Sequence, residues 1–271
     1  MIKEYAYAKI NLALEVMDVV NGYHKVNNLM IPIDLYDELT FEKSDKIELL
    51  NNEFEDNIIL KAAKLFISKY NINSGVRINL IKNIPSAAGL AGGSSDAGAT
   101  LRGLNHLFGD IATDYELLTM AEELGSDVPF FIETKFALCV NRGEKVNPIN
   151  SKYKSFNIML IKPQSGLSTK EVYSIYEYDE SNKLKRINEI IENVIDNDID
   201  KLKSNIFNDL TTPALKLNQD FNYIYNDLKN KTNIYLSGSG PTMFIIEPEQ
   251  DIIDYVNDKY KDCFRLLTKV R

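Results

Sequence analysis

The apolar positions of this chain change period several times, and each change marks an element. Over residues 5–16 apolar and polar residues alternate. Ile10, Leu12, Leu14 and Val16 fall on one face of a strand, and Tyr5, Tyr7, Lys9, Asn11 and Glu15 on the other. Lys9 and Asn11 therefore point the same way. Further strands are predicted at 26–34, 38–42, 46–50 and 76–81, with an amphipathic helix over 58–70. A helix is expected over 96–108, and Thr113 with Glu116 forms a capping box for another that Gly125 closes. Strands follow near 135–140 and 145–149. The polar stretch 150–155 divides the chain into expected domains 1–150 and 151–271. The second part reads as strand 156–162, helices 184–203 and 214–229, strands 233–236 and 243–246, helix 252–260 and strand 264–270. That order is a ferredoxin-like unit with an enlarged first crossover. The expected fold class is α/β (α+β), with the default site in a cleft between two domains.

Between the strand at 76–81 and the helix at 96–108 the pattern lapses. Pro85-Ser86-Ala87-Ala88-Gly89-Leu90-Ala91-Gly92-Gly93-Ser94-Ser95 holds three glycines and three serines around one leucine. Side chains this small let backbone N–H groups come close to a ligand, and the segment ends at a helix N-terminus, a combination suited to phosphate. A flexible linker or a tight turn is the alternative reading. Apolar sequence close on both sides, and a length of eleven residues, argue against it. No G-x-x-x-x-G-K-[ST] is present, and Gly238-Ser239-Gly240 has Met243 where a third dinucleotide-binding glycine would stand. No H-R-D or D-F-G set occurs. A phosphate loop without its own lysine must draw positive charge from elsewhere in the chain or from a metal.

Composition narrows the partners. With 271 residues, 44% hydrophobic and 26% charged, the chain can bury a proper core. A formal charge of −8 disfavours nucleic acid as a partner. No run approaches the ~18 apolar residues of a membrane span, and Met1-Ile2-Lys3-Glu4-Tyr5 does not resemble a signal peptide. Cys139 and Cys263 stand far apart in apolar runs, which fits core residues in a reducing cytoplasm better than a disulfide. With only His24 and His106 available, histidine metal sites and triads have little material.

Several residues bear chemistry, each with a plainer reading beside it. Lys9 could be a solvent-facing strand lysine, and Asp127, ahead of Val128-Pro129, could cap the next helical turn. Gly22-Tyr23-His24 could be a turn with a buried tyrosine, and Ser237-Gly238-Ser239-Gly240-Pro241 a hairpin turn alone. Together with the glycine loop they resemble the small-molecule kinase family that includes galactokinase, homoserine kinase and mevalonate kinase. The resemblance rests on Ala8-Lys9-Ile10-Asn11-Leu12, Gly22-Tyr23-His24, Asp56-Asn57-Ile58, the run from Ala88 to Asp96, Gly125-Ser126-Asp127-Val128-Pro129, Arg142-Gly143-Glu144, Asn208-Asp209-Leu210 and the late glycine loop. These span nearly the whole chain in order, although Asn141 stands where a glycine is more usual.

The resemblance implies ATP as phosphate donor with Mg²⁺, the ATP-phosphate loop on Pro85 to Ser95, and Asn57 on the nucleotide side. It places the catalytic aspartate on Asp127 and its paired lysine on Lys9. It further implies an acceptor bearing cytidine diphosphate, bound by Asn11, Tyr23 and His24, with Thr169 and Tyr173 closing the pocket. No metal ligand is implied by residue number. A kinase of another small alcohol, of homoserine or mevalonate type, is the nearest alternative. An inactive nucleotide-binding regulatory protein of the same fold is another.

Overall fold

The computed structural model describes residues 1–20, 22–50, 57–178 and 183–271; Asp56 of the quoted motifs lies outside the described residues. Two long strands open the chain, β1 (Ile2–Val20) and β2 (Tyr23–Ser44), antiparallel from Ile2 opposite Phe41 to Val20 opposite Tyr23. The strands expected at 26–34 and 38–42 are thus one. Leu35, Tyr36 and Asp37 between them continue the strand, Tyr36 opposite Tyr7 and Asp37 opposite Ala6, and the Asp37 carboxylate accepts the backbone N–H groups of Asn83 and Ile84. The alternation in β1 does not separate core from solvent. Its register with β2 shifts at Tyr7/Lys9, Asn11/Ala13 and Val16/Val19, and everything from Ala8 to Val16 is buried. Lys9, Asn11 and Glu15 are therefore enclosed, and each needs a partner.

β3 (Glu48–Leu49), α1 (Ile58–Lys69) and β4 (Gly75–Ile81) lead to the glycine loop and α2 (Gly92–Phe108), followed by α3 (Asp114–Leu124), α4 (Phe130–Glu133), β5 (Ala137–Asn141) and β6 (Lys145–Pro148). The capping box of Thr113 and Glu116 opens α3, and Gly125 closes it. The sheet runs β3-β4-β2-β1-β8, and β2 also carries β5, which pairs β6. One half of β2 pairs β4 and the other half β5, so this strand splits the sheet into two wings. β8 (Phe207–Asn208) is supplied from later in the chain and lies parallel to β1.

After β7 (Asn157–Lys162) come α5 (Thr169–Ser174), α6 (Leu184–Asp196), α7 (Ile199–Asn205), β8, α8 (Thr211–Leu217) and α9 (Gln219–Lys229). β9 (Tyr235–Leu236), β10 (Met243–Ile246), α10 (Gln250–Lys259) and β11 (Phe264–Lys269) complete the chain. Their sheet has the order β11-β7-β10-β9, antiparallel throughout, which is the ferredoxin-like arrangement read from the sequence. Two expected helices are each broken. Left-handed Asn197 ends α6 and Asp198 caps α7, while Asn218 accepts the N–H of Phe221 to start α9. Apolar periodicity runs on through both breaks; the interruption comes from short polar side chains competing for the backbone.

One core joins β1 and β2 to the second sheet, through Ile10, Leu12, Ile31 and Ile33 against Ile158, Leu160 and Phe244. On the other face of the second sheet Met159 and Ile161 pack with Phe221, Leu228 and Val256. β7 is buried on both faces and accordingly reads as a continuous apolar run. No helix among the described residues is long and apolar enough to cross a membrane.

Candidate active site

Lys9 is 2% exposed, and its ammonium donates to Asn11 Oδ1 at 2.6 Å and to the Gly89 carbonyl at 2.9 Å. Asn11 is fully buried; its Oδ1 also accepts the Gly238 N–H at 2.6 Å, and its amide donates to Asn28. Three segments far apart in sequence therefore meet on one lysine: β1, the first glycine loop and the late one. Gly89 shows why the first loop cannot carry a side chain here. With φ +74°, a Cβ on it would lie 2.2 Å from the Ser237 carbonyl oxygen. The late loop is thus more than a hairpin turn, because Ser237 Oγ donates to Gly89 O at 3.0 Å and Thr242 N–H to Ala88 O at 3.2 Å.

The loop ends differently from the expectation. Ala91 takes a left-handed φ of 56° as N-cap, so α2 starts at Gly92 instead of Asp96, and the glycines and serines form its first turn. Alanine caps nothing: no side chain accepts from that turn, and no acidic residue lies in it. The helix thus presents first-turn N–H groups and its positive end without a side-chain anion to consume them. Asn57 caps α1 through Ile59 N–H at 2.9 Å, and its neighbour Ile58 lies 3.9 Å from where a Cβ on Gly93 would stand.

A cation that the sequence reading missed, Lys82, stands at this helix end. Its ammonium pairs with Asp37 and, at 2.9 Å, with Asp96, and lies 3.3 Å from the position of a Cβ on Gly92. The only sequence signal was a cation three residues ahead of Pro85. Asp96 is buried, and its Oδ1 has no hydrogen-bond partner. Burial pushes its carboxyl up to about 7, against the pull of Lys82 and with a further push from Asp37. A carboxyl raised in the folded state holds its proton there while the unfolded chain has lost it, so stability falls as pH rises between about 4 and about 7. Asp96→Asn removes that titration. In thermal unfolding across this range the parent is expected to lose ground to the variant as pH rises, with a constant difference above about pH 8. A difference independent of pH would contradict the assignment.

Asp127 lies in the turn between α3 and α4. It does not cap α4: its carboxylate forms no hydrogen bond or ion pair among the described residues. It is close enough to act electrostatically on three groups. Burial depresses the Lys9 ammonium while the charge of Asp127 holds it up, and the same charge adds to burial in raising the Cys139 thiol and the Tyr173 phenol. Gly143 of the turn between β5 and β6 also borders it, with a Cβ position 3.6 Å from Asp127 Oδ1.

The other predicted site residues form two groups. His24 stacks at a tilt on Tyr173, ring centroids 5.6 Å apart, and Thr169 meets Ser239 hydroxyl to hydroxyl at 2.8 Å, bringing α5 to the late loop. Tyr23 is 60% exposed and lies under the Arg142 guanidinium, 5.3 Å from its centroid. It lines a pocket of about 330 Å³ with Val20, Lys25, Asn141, Arg142 and Glu144. No ring contact joins Tyr23 to Tyr173 among the described residues. Among Pro85 to Ser95, Ser95 is committed to the fold through its hydroxyl, which donates to Tyr7 O at 2.7 Å.

Comparison with known proteins bears on this arrangement. Residues 57–135 match the family described as GHMP kinases, N terminal domain. The chain is 39% identical over 276 residues to a 4-diphosphocytidyl-2-C-methyl-D-erythritol kinase of Clostridium beijerinckii, with 97% of this chain and 98% of the relative covered. A crystal structure of a 4-(cytidine 5'-diphospho)-2C-methyl-D-erythritol kinase superposes with a TM-score of 0.84 at 26% identity, covering 99% of this chain and 98% of that one. A homoserine kinase from Cytophaga hutchinsonii, at 17% identity and a TM-score of 0.74 over 100% and 94% of the two chains, shares the fold.

Proposed function

We infer how this chain, which belongs to the GHMP kinases and among them to the 4-diphosphocytidyl-2-C-methyl-D-erythritol kinases, works: it transfers the γ-phosphoryl group of ATP to the 2-hydroxyl of 4-diphosphocytidyl-2-C-methyl-D-erythritol, a step of the non-mevalonate route to isoprenoids. The observation that carries the chemistry is the buried Lys9 within the field of an Asp127 carboxylate that the fold does not use. Asp127 accepts the proton of the acceptor hydroxyl, whose oxygen then attacks the γ-phosphorus as ADP leaves. Lys9 offsets negative charge as the acceptor oxygen loses its proton. Phosphoryl transfer passes through a loose transition state and needs alignment and charge neutralisation more than covalent help, which suits backbone N–H groups and one lysine.

The donor is placed by α2. Its uncapped first turn would take the triphosphate, with Lys82 nearby. Among the described residues no group of three or more His, Cys, Asp or Glu side chains could hold a metal. Mg²⁺ would therefore come on the triphosphate and keep most of its waters, neutralising charge there. Free Cys139 and Cys263 accord with a reducing compartment and so with a cytoplasmic enzyme.

The two glycines that open α2 are expected to respond differently. A Cβ on Gly93 meets nothing closer than 3.9 Å, whereas one on Gly92 would lie 2.9 Å from the Ile84 side chain. Gly93→Val is expected to fold and to raise the KM for ATP at least about tenfold by covering N–H groups that bond a charged ligand. Gly92→Val is expected to lower Tm as well. Native ATP KM in a folded Gly93→Val protein would return the segment to a simple connection.

On the acceptor side, the ring of Tyr23, a residue 60% exposed, would stack on the cytosine. Tyr23→Ala is expected to weaken the acceptor by about 1–3 kcal/mol, the scale of one base–aromatic stack, while sparing ATP. Steady-state KM values for both substrates check this, and a variant that disturbed ATP and spared the acceptor would overturn the assignment. An acceptor of homoserine or mevalonate type would leave Tyr23, His24 and Tyr173 without a base to contact, and the retention of Lys9 and Asp127 speaks against an inactive regulatory protein.

A further inference from the structure

Near Val16, where the register of β1 shifts against β2, backbone groups are taken up by side chains from distant segments. The Val16 N–H donates to Asp209 Oδ2 at 3.0 Å, and the Tyr176 hydroxyl donates to Val16 O at 3.0 Å and lies 3.4 Å from the same Asp209 oxygen. One residue on, the Met17 carbonyl lies 3.0 Å from His24 Nδ1. A carbonyl only accepts, so Nδ1 carries the imidazole proton and the ring plane is set. Asp209 is itself held, its Oδ1 2.8 Å from the Lys183 ammonium, and Glu15 fixes the Lys183 N–H at 2.7 Å and the Asn27 amide at 2.7 Å.

Tyr176 also touches the ring it helps to place. His24 stands between Tyr173, tilted by 36°, and Tyr176, edge-on at 82° with centroids 5.8 Å apart. Tyr176 lies two residues past the last residue of α5, and its N–H donates to Tyr173 O at 3.3 Å. α5 is thus tied at both ends, at Thr169 to Ser239 of the late loop and just past its C-terminus to β1. We propose that Tyr176, braced by Asp209, is a positioning residue for the cytosine of the acceptor: it holds His24 and Tyr173 in register with each other and with the Lys9 end of β1. The inference rests on the reading of the acceptor given above. It assigns Tyr176 no contact with substrate and no part in the phosphoryl step.

The test compares the parent with Tyr176→Phe, which keeps the ring and loses the hydroxyl, and with Tyr176→Ala, which loses both. Steady-state KM is measured separately for 4-diphosphocytidyl-2-C-methyl-D-erythritol and for ATP, with Tm recorded for each protein. Tyr176→Phe is expected to raise the acceptor KM about three- to tenfold, the effect of one lost hydrogen bond, and Tyr176→Ala by more, with kcat and the ATP KM within about twofold of the parent. Asp209→Asn is expected to shift the same constant in the same direction. A native acceptor KM in both Tyr176 variants overturns the inference, as does a rise that the ATP KM shares equally, which would mark a merely structural residue. A parent protein that does not phosphorylate this acceptor overturns the underlying reading, and the inference with it.

Discussion

Asp127→Asn is expected to fold like the parent and to turn over about 10²- to 10⁴-fold more slowly, the range of a lost general base. The substitution keeps shape and removes charge. Because the Asp127 carboxylate bonds to no described residue, the fold loses no hydrogen bond with it, and Tm should move little. The electrostatic consequence falls on Lys9, whose depressed ammonium loses the negative charge that now holds it up. Substrate KM values should stay close to those of the parent, since the interaction removed is one made in the transition state. Near-native turnover in a folded Asp127→Asn protein would end the assignment.

Lys9→Met is expected to lower kcat by about 10²- to 10³-fold, as removal of one preorganised charge-stabilising donor does elsewhere. Methionine keeps the apolar stem that runs through the core. The acceptors that Lys9 leaves remain satisfied: Gly89 O keeps the Ser237 hydroxyl, and Asn11 Oδ1 keeps the Gly238 N–H. A buried cation also costs desolvation, so its loss need not destabilise the protein. Turnover and Tm measured together separate the two effects. A kcat within a few-fold of the parent, with Tm unchanged, would make Lys9 a structural residue.

The residues that proved legible in the sequence are those whose chemistry is local. The capping box at Thr113 needs only its own helix, and the ferredoxin-like order emerges because β7 and β10 are apolar on both faces and bounded by breakers. The glycine loop declares itself through what it lacks. What stayed hidden depends on distant partners. Lys82 looks like any strand-end lysine until Asp37 and Asp96 close on it from β2 and α2. Gly92 and Gly93 are alike in sequence, and Ile84 and Lys82 packed against the first distinguish them. Gly and Ser are poor helix formers, so their run predicts a start at Asp96, four residues after the Gly92 at which α2 begins; further along, a Cβ on Gly98 would lie 2.7 Å from Phe131. Tyr176 carried no motif at all, since its role is defined by backbone groups of β1.

Product analysis decides which acceptor this kinase uses. The purified chain is incubated with ATP, Mg²⁺ and, separately, 4-diphosphocytidyl-2-C-methyl-D-erythritol, homoserine, mevalonate and galactose, and phosphorus NMR follows ADP release and the new phosphate ester. A monoester at the 2-hydroxyl of the cytidyl acceptor is expected, with no appreciable product from the other three, because a site built to pair with a base discriminates by several powers of ten against acceptors without one. Faster turnover of homoserine, mevalonate or galactose, or no phosphorylation of the cytidyl acceptor by the folded protein, would contradict it.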